Sequence, residues 1–186
     1  LNAFGQAANW AQNRARIAES WPPPLLPAGQ VGTLEMLTED NGKDWLASQG
    51  VAVPKGKVGT AERLADIASE IGFPVALKMM GPLLAHKTEA GAVALNLSDA
   101  RAVTAATTQM QADVCCHNPE AVTDQFLVEA MSPPPLAELI VTLRSDAQFG
   151  AALVLGSGGI LVELVGDAVT LLLPSTAEDI EKALQS

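Results

Sequence analysis

The sequence predicts an α+β fold built from two α/β subdomains, and three observations lead to it. From Val51 onward, apolar runs of strand length alternate with segments whose apolar residues recur at helical spacing. Two proline clusters, Pro22-Pro23-Pro24 and Pro133-Pro134-Pro135, break the chain where the pattern changes character. The length of 186 residues, 48% of them hydrophobic, suffices for a real core in one domain or two small ones.

The elements follow in order. Ala3 to Glu19 reads as a helix, and Trp21 to Gly29, with four prolines, cannot continue it and reads as a linker. A second helix covers Leu34 to Ser48, with Leu34, Leu37 and Trp45 on one face, and Gly50 stops it. A short strand near Lys57-Val58-Gly59 leads through Thr60, an N-cap candidate, into a helix bearing Leu64, Ile67, Ala68 and Ile71 on one side, ended by Gly72. The run Phe73 to Lys78 reads as a strand, as do Val93 to Leu97 and Gln125 to Glu129, with a helix over Asp99 to Val114 capped by Ser98 between them. These make one compact unit, about Val51 to Glu129. Past the second proline cluster come four strand-like runs, Glu138 to Leu143, Ala151 to Leu155, Leu161 to Val165 and Ala168 to Leu173. Arg144-Ser145-Asp146 reads as a polar turn, Gly166-Asp167 as a tight one, and Ser175-Thr176-Ala177-Glu178 as a capping box opening a last helix.

Charge narrows the function classes. Asp and Glu outnumber Lys and Arg by 21 to 11, a net charge of −10, which disfavours a broad nucleic-acid or anionic-membrane surface. An anionic small ligand therefore needs a local basic pocket. No apolar run reaches the ~20 residues that span a bilayer, and Leu1 to Arg16 is too polar for a signal peptide. The two cysteines, Cys115 and Cys116, are adjacent, poor spacing for a disulfide staple or a zinc site, which points to a reducing, cytoplasmic setting. Leu rather than Met at position 1 points to a fragment.

The basic pocket has one good candidate. Lys78 closes an apolar strand, and His86-Lys87 follows on the next loop, so two point charges can meet phosphate oxygens and a histidine between them can accept a phosphoryl group. Taken singly, Lys78 also reads as a surface lysine and His86 as an ordinary loop histidine. Gly156-Ser157-Gly158-Gly159 reads either as a flexible hairpin or as backbone that lets a ligand approach closely, and it is no Walker A motif because no Gly-Lys-Ser or Gly-Lys-Thr follows. Glu129 and Glu138 read as edge carboxylates or site residues, and Met79, Met80 and Met131 as packing residues.

The ordered pieces Ile71 to Lys78, His86-Lys87-Thr88-Glu89-Ala90-Gly91, Leu127 to Met131, Glu138 to Val141, Asp146 to Gly150 and Gly158 to Glu163 resemble the ATP-grasp domain of NDP-forming acyl-CoA synthetases. That group includes the ADP-forming acetyl-CoA synthetases and is related to succinyl-CoA synthetase beta. The resemblance runs from about Leu34 to Leu184 and implies an ATP-grasp fold truncated at its C-terminus. Residues 1–33 resemble the junction with a preceding domain; 34–50 and 130–186 would form an incomplete large lobe, and 51–129 the small lobe. It implies an acid-thiol ligase in which this part moves phosphoryl between ATP or ADP and a phosphohistidine, coupled to acyl-CoA formation or cleavage. Lys78 would contact nucleotide phosphates, Glu129, Ala130 and Met131 would line the adenine, Glu138 would lie near the ribose, and Gly158 and Gly159 would give backbone room. His86 would carry phosphate, with Lys87 neutralising the moving charge.

The implied partners are CoA-binding and CoA-ligase domains, in the same chain or an alpha subunit, with ATP, CoA and a small carboxylate as ligands. No nucleic acid or membrane is implied, and an oligomer stays open. Magnesium ligands would lie in a segment after the last helix, past Ser186, so none is assigned here. Two departures stand out: Gly91-Ala92 replaces a Gly-Gly pair, putting a methyl group near the phosphate path, and Pro133-Pro134-Pro135 replaces a glycine-containing turn. The alternatives are another ATP-grasp carboxylate ligase, a synthetase-like acyl-CoA-sensing module of a protein acetyltransferase, and a purely structural domain.

Overall fold

The computed structural model describes residues 37–84, 87–146, 149–159 and 167–185. The helix expected over Ala3 to Glu19, the linker after it, His86 and the strand expected over Leu161 to Val165 lie outside these residues. The chain forms two compact units, one spanning Leu34–Pro134 and the other holding the described residues from Pro135 onward, so the boundary falls inside the second proline cluster.

The first unit opens with helix α1 (Glu39–Ser48) and strand β1 (Gly56–Gly59), then a short 3-10 turn and helix α2 (Leu64–Ile71). Strands β2 (Val75–Met79) and β3 (Val93–Leu97), helix α3 (Ala100–His117) and strand β4 (Phe126–Ala130) complete it. The strands lie in the order β1-β4-β2-β3, and every neighbouring pair is antiparallel.

Alternation along the strands decides what each face of this sheet does. Val75, Leu77 and Met79 of β2 and Phe126 and Val128 of β4 join Leu64, Ile67 and Ala68 of α2 and Val103, Met110 and Val114 of α3 in one buried cluster. The intervening residues, Ala76 and Lys78 on β2 and Leu127 and Glu129 on β4, therefore point to the opposite face. Glu129 pairs across from Ala76, which sets it diagonal to Lys78 on that face.

Local chemistry moved several expected boundaries. Helix α1 begins at Glu39, and residues 34–36 lie outside the described ones. Its expected apolar face is not buried: Leu37 and Trp45 are 60% and 59% exposed, because the helix engages the unit mainly through charged side chains. Of residues 34–50, expected with the large lobe, the described ones, 37–50, fall in the first unit with the four-stranded sheet. Thr60 precedes the 3-10 turn but makes no side-chain cap; the Asp124 carboxylate accepts from the Ala61 N–H instead, at 3.0 Å. The cap of α3 is Asp99, not Ser98, since its carboxylate accepts from the Ala102 N–H at 2.8 Å.

The second unit is an antiparallel sheet of strands β5 (Leu139–Asp146), β6 (Gly150–Ser157) and β7 (Val169–Leu172), followed by helix α4 (Ala177–Leu184). Arg144-Ser145-Asp146 is strand rather than turn: all three residues pair with β6, and Asp146 accepts from the Phe149 N–H at the hairpin end. The capping box of α4 is one residue later than the sequence suggested, because Thr176 and Asp179 exchange the reciprocal bonds.

Phe126 is the largest fully buried side chain of the first unit's core. Phe126→Ala is expected to lower unfolding free energy by about 3–5 kcal/mol, measured by chemical denaturation.

Candidate functional site

On the face of the first sheet away from the two core helices, five charged side chains meet. The Lys78 ammonium donates to Glu129 Oε2 at 2.8 Å and to Glu39 Oε1. Lys43, one turn along α1 from Glu39, reaches Glu39 Oε1 at 2.9 Å and Glu129 Oε1 at 2.5 Å. Lys87, on the loop between β2 and β3, donates to Glu39 Oε2 at 2.6 Å, and the Met80 sulfur lies 3.6 Å from its nitrogen.

The backbone explains why the groups converge. The alternation of β2 and β4 turns Lys78 and Glu129 to one face. Gly56 of β1 sits opposite Glu129, and a Cβ there would come within 3.0 Å of Glu129 Cγ, so the glycine leaves room for the carboxylate. The loop carrying Lys87 is pinned at its end, with the Ala92 N–H donating to the Lys87 carbonyl at 2.7 Å and the Met79 N–H to the Ala92 carbonyl at 2.9 Å. Gly91 has φ +70, and a Cβ there would lie 2.9 Å from Asp113 Cβ, so this position excludes a side chain. The methyl group of Ala92 does not line a phosphate path, as the departure from Gly-Gly suggested; it is fully buried in the core.

Electrostatics in this cluster runs in one direction. Glu129 is only 3% exposed, and a carboxylate so buried is tolerable when cations and hydrogen bonds compensate it, as Lys43 and Lys78 do. Burial by itself pushes the Glu39 carboxyl up, but hydrogen bonds from Lys78, Lys87 and Lys43 together outweigh it and hold the pKa at about 2 instead of 4.5. Burial likewise works to lower the Lys78 pKa, and its hydrogen bonds to Glu129 and Glu39 reverse the sign and raise it. Three ammonium groups against two carboxylates leave the cluster at +1, in a chain whose formal charge is −10.

The residues singled out in the sequence divide between the two units. Lys78, Lys87 and Glu129 share the lysine–glutamate cluster, and His86 lies outside the described residues. Ala130 and Met131 leave β4 with their amides already used: the Ala130 N–H donates to the Lys55 carbonyl at 2.9 Å and the Met131 N–H to the Pro74 carbonyl at 3.1 Å. In the second unit Glu138, Gly158 and Gly159 come together. The Gly158 N–H donates to the Glu138 carbonyl at 2.7 Å, and a Cβ on Gly159, which has φ +88, would meet Glu138 Oε2 at 2.9 Å. Beside them, Asp167 accepts from the Ser157 hydroxyl at 2.5 Å and from its N–H at 3.1 Å, and these bonds, the hydroxyl first, hold the Asp167 carboxyl below its usual range.

Sequence reasoning missed Glu39 and Lys43. Their i, i+4 spacing was a visible ion-pair signal, but nothing local showed that the pair would meet Lys78 and Glu129, 39 and 86 residues away in the chain. Among the described residues no group of three or more His, Cys, Asp or Glu side chains is placed to hold a metal ion.

A small antiparallel sheet with a lysine-rich polar face, joined through a proline run to a second antiparallel unit with a glycine turn, defines a two-unit α+β protein with an anion-binding candidate site. The family model for the ATP-grasp domain matches residues 31–186, and the chain belongs to that family. It is 32% identical over 149 residues to the beta subunit of acetate–CoA ligase [ADP-forming] II of Pyrococcus furiosus, covering 80% of this chain and 63% of that subunit. It is also similar to the dinucleotide forming acetyl-coenzyme A synthetase 1 of Ca. Korarchaeum cryptofilum in complex with coenzyme A, Ca-AMPCP and HgCl+. That match has a TM-score of 0.76 and 32% identity over 81% of this chain and 66% of that one. Another structure of the same synthetase, with coenzyme A and Mg-AMPPCP and its phosphohistidine segment pointing towards the nucleotide binding site, matches with TM-score 0.64 and 31% identity, covering 79% and 62%. The chain thus spans less than two thirds of the length of these relatives.

The shifted groups set a pH dependence. The folded Glu39 value lies below 4.5, so its contribution to stability is full above 4.5 and is lost as pH falls toward 2. The folded Lys78 value lies above 10.5, so its contribution is full below 10.5 and is lost as pH rises through the raised value. Thermal melting should show the difference between wild type and Glu39→Gln shrinking on the acid side of pH 4.5.

Proposed function

We propose that this chain is the nucleotide-binding part of an NDP-forming acyl-CoA synthetase, an acid-thiol ligase. In this reading it passes a phosphoryl group between ATP or ADP and a phosphohistidine, and the cycle couples acyl-CoA formation or cleavage to the nucleotide. The observation that carries the reading is the convergence of Lys43, Lys78 and Lys87 on two carboxylates, a local positive site in an acidic chain. Membership of the ATP-grasp family and the similarity to ADP-forming ligases support it.

The chemistry asks of the protein mainly position and charge. Lys78 contacts the nucleotide phosphates, and Lys87, held close by through Glu39, offsets negative charge as it moves. His86, next to Lys87 in the chain, is the transient carrier: an imidazole nitrogen lone pair attacks the γ-phosphorus, the bond to the bridging oxygen breaks, and ADP leaves with that electron pair. Glu129 to Met131 border the adenine and Glu138 the ribose. Because the amides of Ala130 and Met131 are engaged, the base would be read there through carbonyl and apolar contacts. Gly158 and Gly159 leave the backbone open to the transferred group.

Magnesium accompanies the nucleotide in this reading. Glu39 and Glu129 are committed to lysines, and among the described residues no set of three or more His, Cys, Asp or Glu side chains converges, so these side chains form no resident magnesium cage. CoA-binding and CoA-ligase domains, in the same chain or in a partner subunit, supply the remaining ligands, CoA and a small carboxylate. A cytoplasmic setting suits two exposed free thiols, Cys115 and Cys116, and no helix among the described residues is long and apolar enough to cross a membrane.

In the full-length protein, incubation with γ-labelled ATP and magnesium should yield an acid-labile phosphohistidine; folded protein that binds ATP and forms none would sink the relay. His86→Ala is expected to abolish ADP–ATP exchange while leaving ATP binding within about twofold of wild type, since the imidazole acts in transfer rather than in holding the nucleotide. Lys78→Ala should weaken ATP by ~1.5–3 kcal/mol, about one to two decades in Kd, read by calorimetry alongside a melting control.

A further inference from the structure

Glu39 is the only one of the five clustered residues that touches all three lysines. Its Oε1 receives Lys43 and Lys78 and its Oε2 receives Lys87. The lysines come from three separate places: α1, the middle of the sheet, and the end of the loop after β2. Lysine is a flexible point charge that loses considerable rotamer freedom when fixed. An ammonium has three N–H donors, and the contacts above engage two on each of Lys43 and Lys78, and two on Lys87 if the sulfur is counted. Among the described residues one donor therefore remains on each, and the cluster keeps its net positive charge.

We infer that Glu39 is a positioning residue, an internal anion that gathers Lys43, Lys78 and Lys87 so that their remaining donors face a nucleotide polyphosphate, and that Lys43 is a third ammonium of that site. This rests on the nucleotide reading above and deepens it. The carboxylate stays in place when phosphate arrives. The ordering entropy of three lysines is met in folding rather than at the moment of binding, which is how preorganisation raises affinity. Removing it has two opposed effects, a gain of one positive charge and a loss of order, and the proposal is that the second dominates.

Two measurements on the full-length protein separate the outcomes. The first is brief amine acetylation without nucleotide, read by mass spectrometry with exposed Lys57 as reference. Removing the carboxylate unties the ammonium groups it holds, so acetylation of Lys78 and Lys87 is expected to rise about threefold in Glu39→Gln. The second is ATP affinity by calorimetry, expected to weaken about tenfold in Glu39→Gln, the size of one charge-assisted bond. In wild type, ATP should also protect Lys43, Lys78 and Lys87 from acetylation.

Unchanged labelling in Glu39→Gln, or ATP that binds equally or more tightly, overturns the positioning role while leaving the nucleotide reading intact. ATP protection that spares Lys43 removes it from the site. A wild-type protein that binds no ATP overturns the nucleotide reading itself, and this inference with it. If Glu39→Gln does not fold, Glu39→Asp serves: the charge is kept but the reach is shortened, so labelling of Lys87 should rise and ATP should again weaken.

Discussion

The buried carboxylate of Glu129 constrains the whole polar face of the first unit. A charge this deep in the protein is costly unless it is paired, and both of its oxygens are met by lysines, one from the neighbouring strand and one from α1. Those lysines in turn need Glu39, since three cations around a single carboxylate would repel one another without a second anion between them. The network therefore fixes how α1 lies on the sheet. That helix buries no residue of its own, and it is held by ion pairs where the other helices of the unit are held by apolar packing.

The same sheet serves two purposes because a strand has two faces. One register puts Val75, Leu77, Met79, Phe126 and Val128 against α2 and α3, and necessarily puts Lys78 and Glu129 on the far side. A slip of one residue would bury the lysine among aliphatic side chains and expose the core. Core and site are thus fixed by a single choice of pairing. The well-packed apolar face gives the charged face a rigid base on which its lysines and glutamates hold position.

Much of the element pattern was legible because it is local. The helix bearing Leu64, Ile67 and Ala68, the strand at Val93 to Leu97 and the break at the proline cluster are all present. The differences arise where two local solutions compete. Ser98 and Asp99 can both cap α3, and the structure uses the aspartate; Ser175 and Thr176 can both open α4, and the reciprocal bond with Asp179 selects the threonine. Arg144-Ser145-Asp146 has turn composition, yet pairing with Ala152, Ala151 and Gly150 of β6 carries it as strand. Composition is a weak prior there, and a long antiparallel partner overrides it.

By itself the sequence determined the class of fold, the buried face of α2, and the presence of Lys78, Lys87 and Glu129 near strand ends and on a loop. Those properties depend on residues close in the chain, whose periodicity and turn chemistry can be read directly. Only the tertiary structure decided that Glu39 and Lys43 join them. An ion pair one helical turn apart looks the same on any solvated helix, and what distinguishes this one is the company of Lys78, Lys87 and Glu129, brought from 39 to 86 positions further along the chain. Coulomb energy depends on separation in space and on burial, and neither is written in the local sequence.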